Sequence, residues 1–295
     1  MSKMMYQSFL KQREHFNQMT SEKYISYPIP ENVQIFRNVP YMTDRNPAHR
    51  MDIYRPANEK DFLPVIINVH GGGLMMGNKE FNFGFCVNLC QQGFLVFSIE
   101  YQLVPDVLVY DQYADVIHAM TSIGNVLPLY GGDKDHIYMV GDSAGAYLIV
   151  YAMAMQRSPL LAEAAHAIPS ILPIRALGLI SGMFYTRRFD KIGLFMPKTL
   201  YGASYKNGPF MPYTNPEHPE IAGNLPPCYL VTSHNDFLHR YTLDFAKTLH
   251  RYGIPYKLDD YPPNKRLTHA FSVFNPEFPE SQEVIQHLAQ YLKSI

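Results

Sequence analysis

The chain has 295 residues, of which 47% are hydrophobic and 17% charged. At roughly 150 residues per domain this length admits two domains, although α/β folds often use about 200–250 residues or more as one unit, and the apolar fraction rules out wholesale disorder. Lys plus Arg number 25 against 26 Asp plus Glu, a net charge of −1, which excludes the strong electrostatic funnel expected of a nucleic-acid or anionic-membrane binder.

Residues 1 to about 23 place Met5, Phe9, Phe16 and Met19 at helical spacing and predict one amphipathic helix that cannot bury itself alone. The opening MSKMMYQSFLKQREHF breaks into charge within eleven residues and shows no secretory apolar region or small-residue cleavage site. Nowhere do eighteen apolar residues run together, so no stable membrane insertion is expected and cytoplasmic residence follows. ENVQIFRNVPYMT and HRMDIYRP, separated by the turn-rich DRNPA, predict an antiparallel opening. LPVIINVHGGG is a continuous apolar run of the kind that suits a strand covered on both faces.

Strand and helix then alternate. FLVFSIEYQ, HIYMVGD, RALGLISGMF, PCYLVTSHND and PYKLDDYP read as strands. The helices are residues 107–124, 144–157, 238–253 and 279–295. This order implies a mainly parallel sheet with right-handed crossovers, in one domain over residues 1–295. The stretch from about 186 to 225, rich in Pro, Gly, Asn, Tyr and Phe, breaks the pattern, with one helical piece near 191–201. Together with residues 1–30 it predicts a small cap over the carboxyl edge of the sheet. Of three cysteines, Cys86 and Cys90 fall on one helix face and Cys228 opens a strand. No C-x-x-C pair or zinc spacing occurs, so they read as buried reduced thiols, and no metal site is predicted.

Chemistry concentrates in two glycine-rich turns. Gly141-Asp142-Ser143-Ala144-Gly145 fits G-x-S-x-G between a strand and a helix, the context of a nucleophile elbow. A plain strand-to-helix turn with Ser143 as N-cap is the competing reading. His70-Gly71-Gly72-Gly73, followed by Gly77, ends an earlier strand, where backbone amides can converge on an oxyanion. No phosphate-loop spacing follows it. A serine hydroxyl needs a base, and the base an orienting carboxylate, in the chain order Ser, acid, His. Asp236 and His269 both lie past the ends of late strands, where a crevice forms. Asp259 and Asp260 compete for the acid role but sit inside a strand. His234 could serve only with another acid, and His250 and His287 lie in mid-helix.

These motifs resemble, in order and over residues 35 to the end, the hormone-sensitive-lipase-like branch of the α/β-hydrolase fold. They are H-G-G-G-x-x-x-G at His70 to Gly77, Tyr101-Gln102-Leu103-Val104-Pro105-Asp106 with Asp115 following, G-D-S-A-G, Asp236-Phe237-Leu238 and His269-Ala270-Phe271. The resemblance implies an α/β-hydrolase sheet of about eight strands, with Ser143 as nucleophile, His269 as base and Asp236 as orienting acid. It also implies an oxyanion hole from the amides of Gly72, Gly73 and Ala144. His70, Gly71, Gly141, Asp142 and Gly145 would support it, and no cofactor would be needed. Gln102 stands where the family has Arg, Val104 where it has Ala, and Ala270 where it has Gly. Many members pair as homodimers through the last strand or helix.

The function this implies is a serine-dependent hydrolase of small carboxylic esters, short-acyl or aryl, working through an acyl-enzyme. An arylformamidase-like amidase or peptidase on the same triad and a non-catalytic ligand-binding pseudo-hydrolase are the rivals. Phe195, Met196, Tyr201 and Phe210 are the candidates for an apolar substrate pocket.

Overall fold

The computed structural model describes residues 3–25, 27–57, 59 and 62–295. The amphipathic opening forms α1 (Lys3–Ile25), with the side chain of Met5 outside the described ones. The two alternating runs form β1 (Val33–Pro40) and β2 (Arg50–Pro56). The apolar runs become β3 (Leu63–Val69), β4 (Leu95–Ile99), β5 (Gly132–Asp142), β6 (Ala176–Ile180) and β7 (Cys228–Ser233), and β8 (Tyr256–Tyr261) ends the sheet. Spatial order is β1-β2-β4-β3-β5-β6-β7-β8. Strand β2 runs antiparallel to both neighbours, and every other pair is parallel.

The helices are α2 (Phe83–Gln91), α3 (Val109–Tyr130), α4 (Ala144–Met155), α5 (Pro159–Ala164), α6 (Lys191–Phe195), α7 (Pro197–Tyr201), α8 (Pro219–Ala222), α9 (His239–Arg251), α10 (Phe271–Phe274) and α11 (Pro279–Lys293). Successive residues of the inner strands point to opposite faces. Val65, Ile67, Phe97 and Met139 join a core with α3, α4 and α9, while Ile66, Val96 and Val140 join a second core with α2 and α11. A sheet covered twice in this way requires strands apolar on both faces, as the continuous runs in the sequence have. Asn68 on β3 and Ser98 on β4 are polar and fully buried, and they hydrogen-bond at 3.2 Å. That pairing avoids the cost of about 1–3 kcal/mol for an unsatisfied buried group.

Helix α3 overruns its predicted end at Gly124 and stops at Gly131, which adopts the left-handed conformation at φ 72°. Gly124 instead lies against Leu172, whose Cδ1 is 2.9 Å from where a Cβ would stand. Among the described residues no helix is long and apolar enough to cross a membrane. The three cysteines are free and buried, and burial pushes their thiol pKa values up.

Candidate active site

The carboxyl ends of β3, β5, β6, β7 and β8 deliver the chemistry-bearing turns to one edge of the sheet, the edge where open α/β sheets form a crevice. Ser143 follows β5 directly, at φ 50° and ψ −113°. A side-chain-bearing residue holds such a backbone only when its surroundings over-determine it. Here Ser143 N–H donates to Ile180 O at 2.8 Å and its carbonyl accepts from Met183 N–H at 2.9 Å. Gly145 must lack a side chain, because a Cβ would stand 2.0 Å from Val69 O. Ser143 occupies the N-cap position of α4 but its hydroxyl makes no capping bond. The Oγ is therefore not used up in ending the helix.

His269 Nδ1 lies 2.8 Å from Asp236 Oδ1. The same oxygen accepts from Leu238 N–H at 2.8 Å, and the Asp236 side chain is fully buried. This pairing leaves His269 Nε2 as the ring nitrogen available for other work. Ser143 and His269 line one cavity of about 410 Å³, and no hydrogen bond joins Ser143 Oγ to His269 among the described residues. Such contacts are commonly loose before substrate binds. His234 is exposed, Asp260 pairs with His239 at 2.9 Å, and Asp259 pairs with His287.

The glycine loop lies against the same cavity. His70 is fully buried, stacked on Tyr101 at 4.3 Å, with Nδ1 2.7 Å from Gly71 O and Nε2 2.9 Å from Glu100 Oε1. Burial pulls its pKa down, but the Glu100 carboxylate and the Gly71 carbonyl outweigh it and hold the value above the ordinary histidine range. Both ring nitrogens thus donate. In a planar trans peptide the C=O and N–H point in opposite directions. Gly71 O faces the His70 ring, so the Gly72 N–H points away from it. Gly72 O accepts from Met75 and Met76 N–H at 3.2 and 3.0 Å, so the Gly73 N–H likewise points away from the loop interior. Gly72 sits at φ 116°, and a Cβ there would stand 1.9 Å from Met76 O. Ala144 opens α4, where amides have no intrahelical acceptor. Gly72, Gly73 and Ser143 all line the cavity.

Asp142 ties the two turns together. Its Oδ1 accepts from Gly71 N–H at 3.0 Å and from Asn82 Nδ2 at 2.9 Å, while its buried Oδ2 has no partner among the described residues. Burial raises its pKa, only partly offset by Asn82 and the two nearby histidines. Gln102 braces its loop: its backbone N–H donates to Asp115 Oδ2 at 2.9 Å, and Asp115 also bonds His49. From α1, Arg13 donates to Met75 O and Val104 O, both at 2.7 Å.

The cavity wall differs from the predicted one. Met196 lines it, but Phe195, Tyr201 and Phe210 do not. Phe195 is 77% exposed on α6. Tyr201 and Phe210, at 3% and 2%, pack with Tyr110, Tyr113, Tyr147 and Tyr151 beneath the insertion. Their rings are spent on packing because α3 and α4 offer an aromatic face. The wall is built instead by Phe16 of α1, Met75, Met76, Met183, Ile192 and Phe237. Met75 and Met76 stand inside the glycine motif and Phe237 beside Asp236, so adjacency to the motifs was the usable signal. A cleft of similar size, about 430 Å³, opens beside Gly77 between Arg13 and Gln102 and reaches neither Ser143 nor His269. Among the described residues no group of three His, Cys, Asp or Glu could hold a metal ion.

Known proteins share this framework. A family model, BD-FAE, matches residues 51–166. The isoprenylcysteine alpha-carbonyl methylesterase of Arabidopsis thaliana is 27% identical over 132 residues, 45% of this chain and 30% of that protein. The chain spans 30–56% of the length of the first three such methylesterases it matches. The versiconal hemiacetal acetate esterase of Dothistroma septosporum is 25% identical over 255 residues, 81% of this chain and 75% of that one. Among solved structures, esterase B of Lactobacillus rhamnosis superposes with a TM-score of 0.90 over 99% of this chain and 95% of its own, at 22% identity. With its eight-stranded, mostly parallel sheet, its strand–turn–helix elbow and its superposition on esterase B, the chain has the α/β-hydrolase fold.

Proposed function

We propose that this chain is a serine-dependent carboxylic-ester hydrolase acting on small esters with short acyl or aryl groups. One observation carries the reading: Ser143, its hydroxyl free of capping duty, shares a cavity with an imidazole whose Nδ1 is bonded to a buried carboxylate. His269 Nε2 takes the Ser143 proton as Oγ attacks the ester carbonyl. The tetrahedral oxyanion forms against the N–H groups of Gly72, Gly73 and Ala144. One such donor contributes about 2.7–4 kcal/mol to lowering the barrier. The imidazolium then protonates the leaving alkoxide oxygen, and the alcohol departs. Water, deprotonated by the same imidazole, attacks the acyl-enzyme, and collapse of that intermediate returns the proton to Ser143 and frees the acid.

The thioether-rich wall, with Met75, Met76, Met183 and Met196, favours an apolar, adaptable fit. Esterase names among the relatives support the reaction class. The contributions of Phe16 from α1 and of Ile192 and Met196 from the insertion support a cap made of residues 1–30 and 186–225. Three free, buried cysteines suit a reducing, cytoplasmic setting.

A fluorophosphonate should label the wild type and leave Ser143→Ala unlabelled, with turnover of p-nitrophenyl acetate in that variant reduced by about 10⁶-fold. An unlabelled wild type would reject the hydrolase reading in favour of a ligand-binding relative. Faster turnover of N-formyl anilides than of esters would reject the ester assignment.

A further inference from the structure

Three of the four residues 180–183 at the end of β6 touch the backbone on both sides of the site. Ile180 O and Met183 N–H hold the Ser143 amide and carbonyl at 2.8 and 2.9 Å. Between them, Ser181 N–H donates to Val231 O on β7 at 2.8 Å, and Ser181 Oγ accepts from the N–H of Ala270 at 3.1 Å. Ala270 directly follows His269. Among the described residues, its amide has no other acceptor.

Both ends of this hydrogen bond are strained. Ser181 and Ala270 each sit at φ 50°, and both are buried. Left-handed backbone is rare for residues with a Cβ, and it persists where tertiary contacts impose it. The His269 loop and the Ser143 elbow share no strand, so their relative placement depends on contacts between separate turns. The Ser181 hydroxyl is such a contact, and it acts one residue from the base.

We infer that Ser181 is a positioning residue, which sets the His269 imidazole at its working distance from Ser143. This rests on the triad reading proposed above. Ser181 does not line the cavity, so it meets no substrate and acts through the Ala270 amide alone. General-base transfer works over heavy-atom separations of about 2.6–3.2 Å, and a misplacement of about 1 Å can cost about 100-fold. Loss of the hydroxyl therefore acts on turnover and leaves substrate binding as it was.

The test compares wild type, Ser181→Ala and Ser181→Gly for kcat and KM on p-nitrophenyl acetate, fluorophosphonate inactivation rate and Tm. Glycine adopts φ 50° without strain, so Ser181→Gly removes the hydroxyl while keeping the backbone. The expected result for both variants is a kcat lower by about tenfold or more, a KM within about twofold and inactivation slowed in parallel. Ser181→Gly with native kcat overturns the inference, and so does a loss confined to KM. A wild type that resists the fluorophosphonate removes the triad reading and this inference with it. A labelled wild type beside an unimpaired Ser181→Gly refutes the role of Ser181 alone.

Discussion

Two imidazole–carboxylate pairs at separate places in this molecule have the same spacing and different surroundings. His269 Nδ1 lies 2.8 Å from Asp236, and His287 Nδ1 lies 2.8 Å from Asp259. Asp236 stands past the end of β7 with its carboxylate fully buried, and its histidine opens on the cavity that holds Ser143. Asp259 stands within the edge strand β8, accepts from the Tyr229 hydroxyl, and lies 3.9 Å from Lys257. Its histidine, on α11, is 35% exposed and does not line the cavity that holds Ser143. Spacing alone therefore says little about function. A residue past a parallel strand's carboxyl end faces the crevice, whereas one inside an edge strand faces a sheet side.

The largest expected effect separates the two pairs. Asp236→Asn should lower kcat by about 10⁴-fold, because the amide favours the wrong tautomer of His269. Asp259→Asn should leave kcat within about twofold. Steady-state kinetics on both variants decides it, and equal losses would abolish the distinction.

A third pair, His70 with Glu100, sharpens the comparison from the side of stability. The His70 pKa is held above the ordinary 6.5, so the native state binds that proton more tightly than the unfolded chain does. Its stabilising contribution is complete below about pH 6.5 and is lost as the pH rises through the raised native value. Glu100→Gln removes the attracting charge and leaves burial to favour the neutral ring. The variant should lose about 1–3 kcal/mol at low pH, and its Tm should depend less on pH than that of the wild type as pH rises above about 6.5. Parallel Tm–pH curves would mean that His70 is not held charged by Glu100.

The smallest effect belongs to the partly exposed pair of His287 and Asp259. His287→Ala should cost less than about 1 kcal/mol in denaturant unfolding, since half-exposed ion pairs contribute little. A cost like that of losing the Glu100 charge beside the buried His70 would show that exposure does not separate the pairs.

The parallel sheet was legible because β3, β4, β6 and β7 are apolar over most of their length, interrupted only by a few buried polar residues such as Asn68 and Ser98, a pattern that suits a doubly covered strand. The positions of Ser143, Asp236 and His269 at strand ends were legible for the same reason: glycines and turn residues mark where each strand stops. The cavity wall was not. Phe195, Tyr201 and Phe210 share a composition with the true wall, but ring direction depends on which neighbouring helix offers an apolar face. For Tyr201 and Phe210 that face belongs to α3 and α4, far away in sequence.

Residue order by itself determined the alternation of strand and helix, the two glycine turns, and the chemical groups able to carry acyl transfer, because each depends on neighbours within a few positions. Only the folded chain decided which carboxylate meets which imidazole, which aromatics face the cavity, and that Ser181 reaches the amide beside His269. Those outcomes depend on contacts between segments far apart in the chain, 89 residues for Ser181 and Ala270 and 100 for Tyr110 and Phe210, and local propensity carries no information about such contacts.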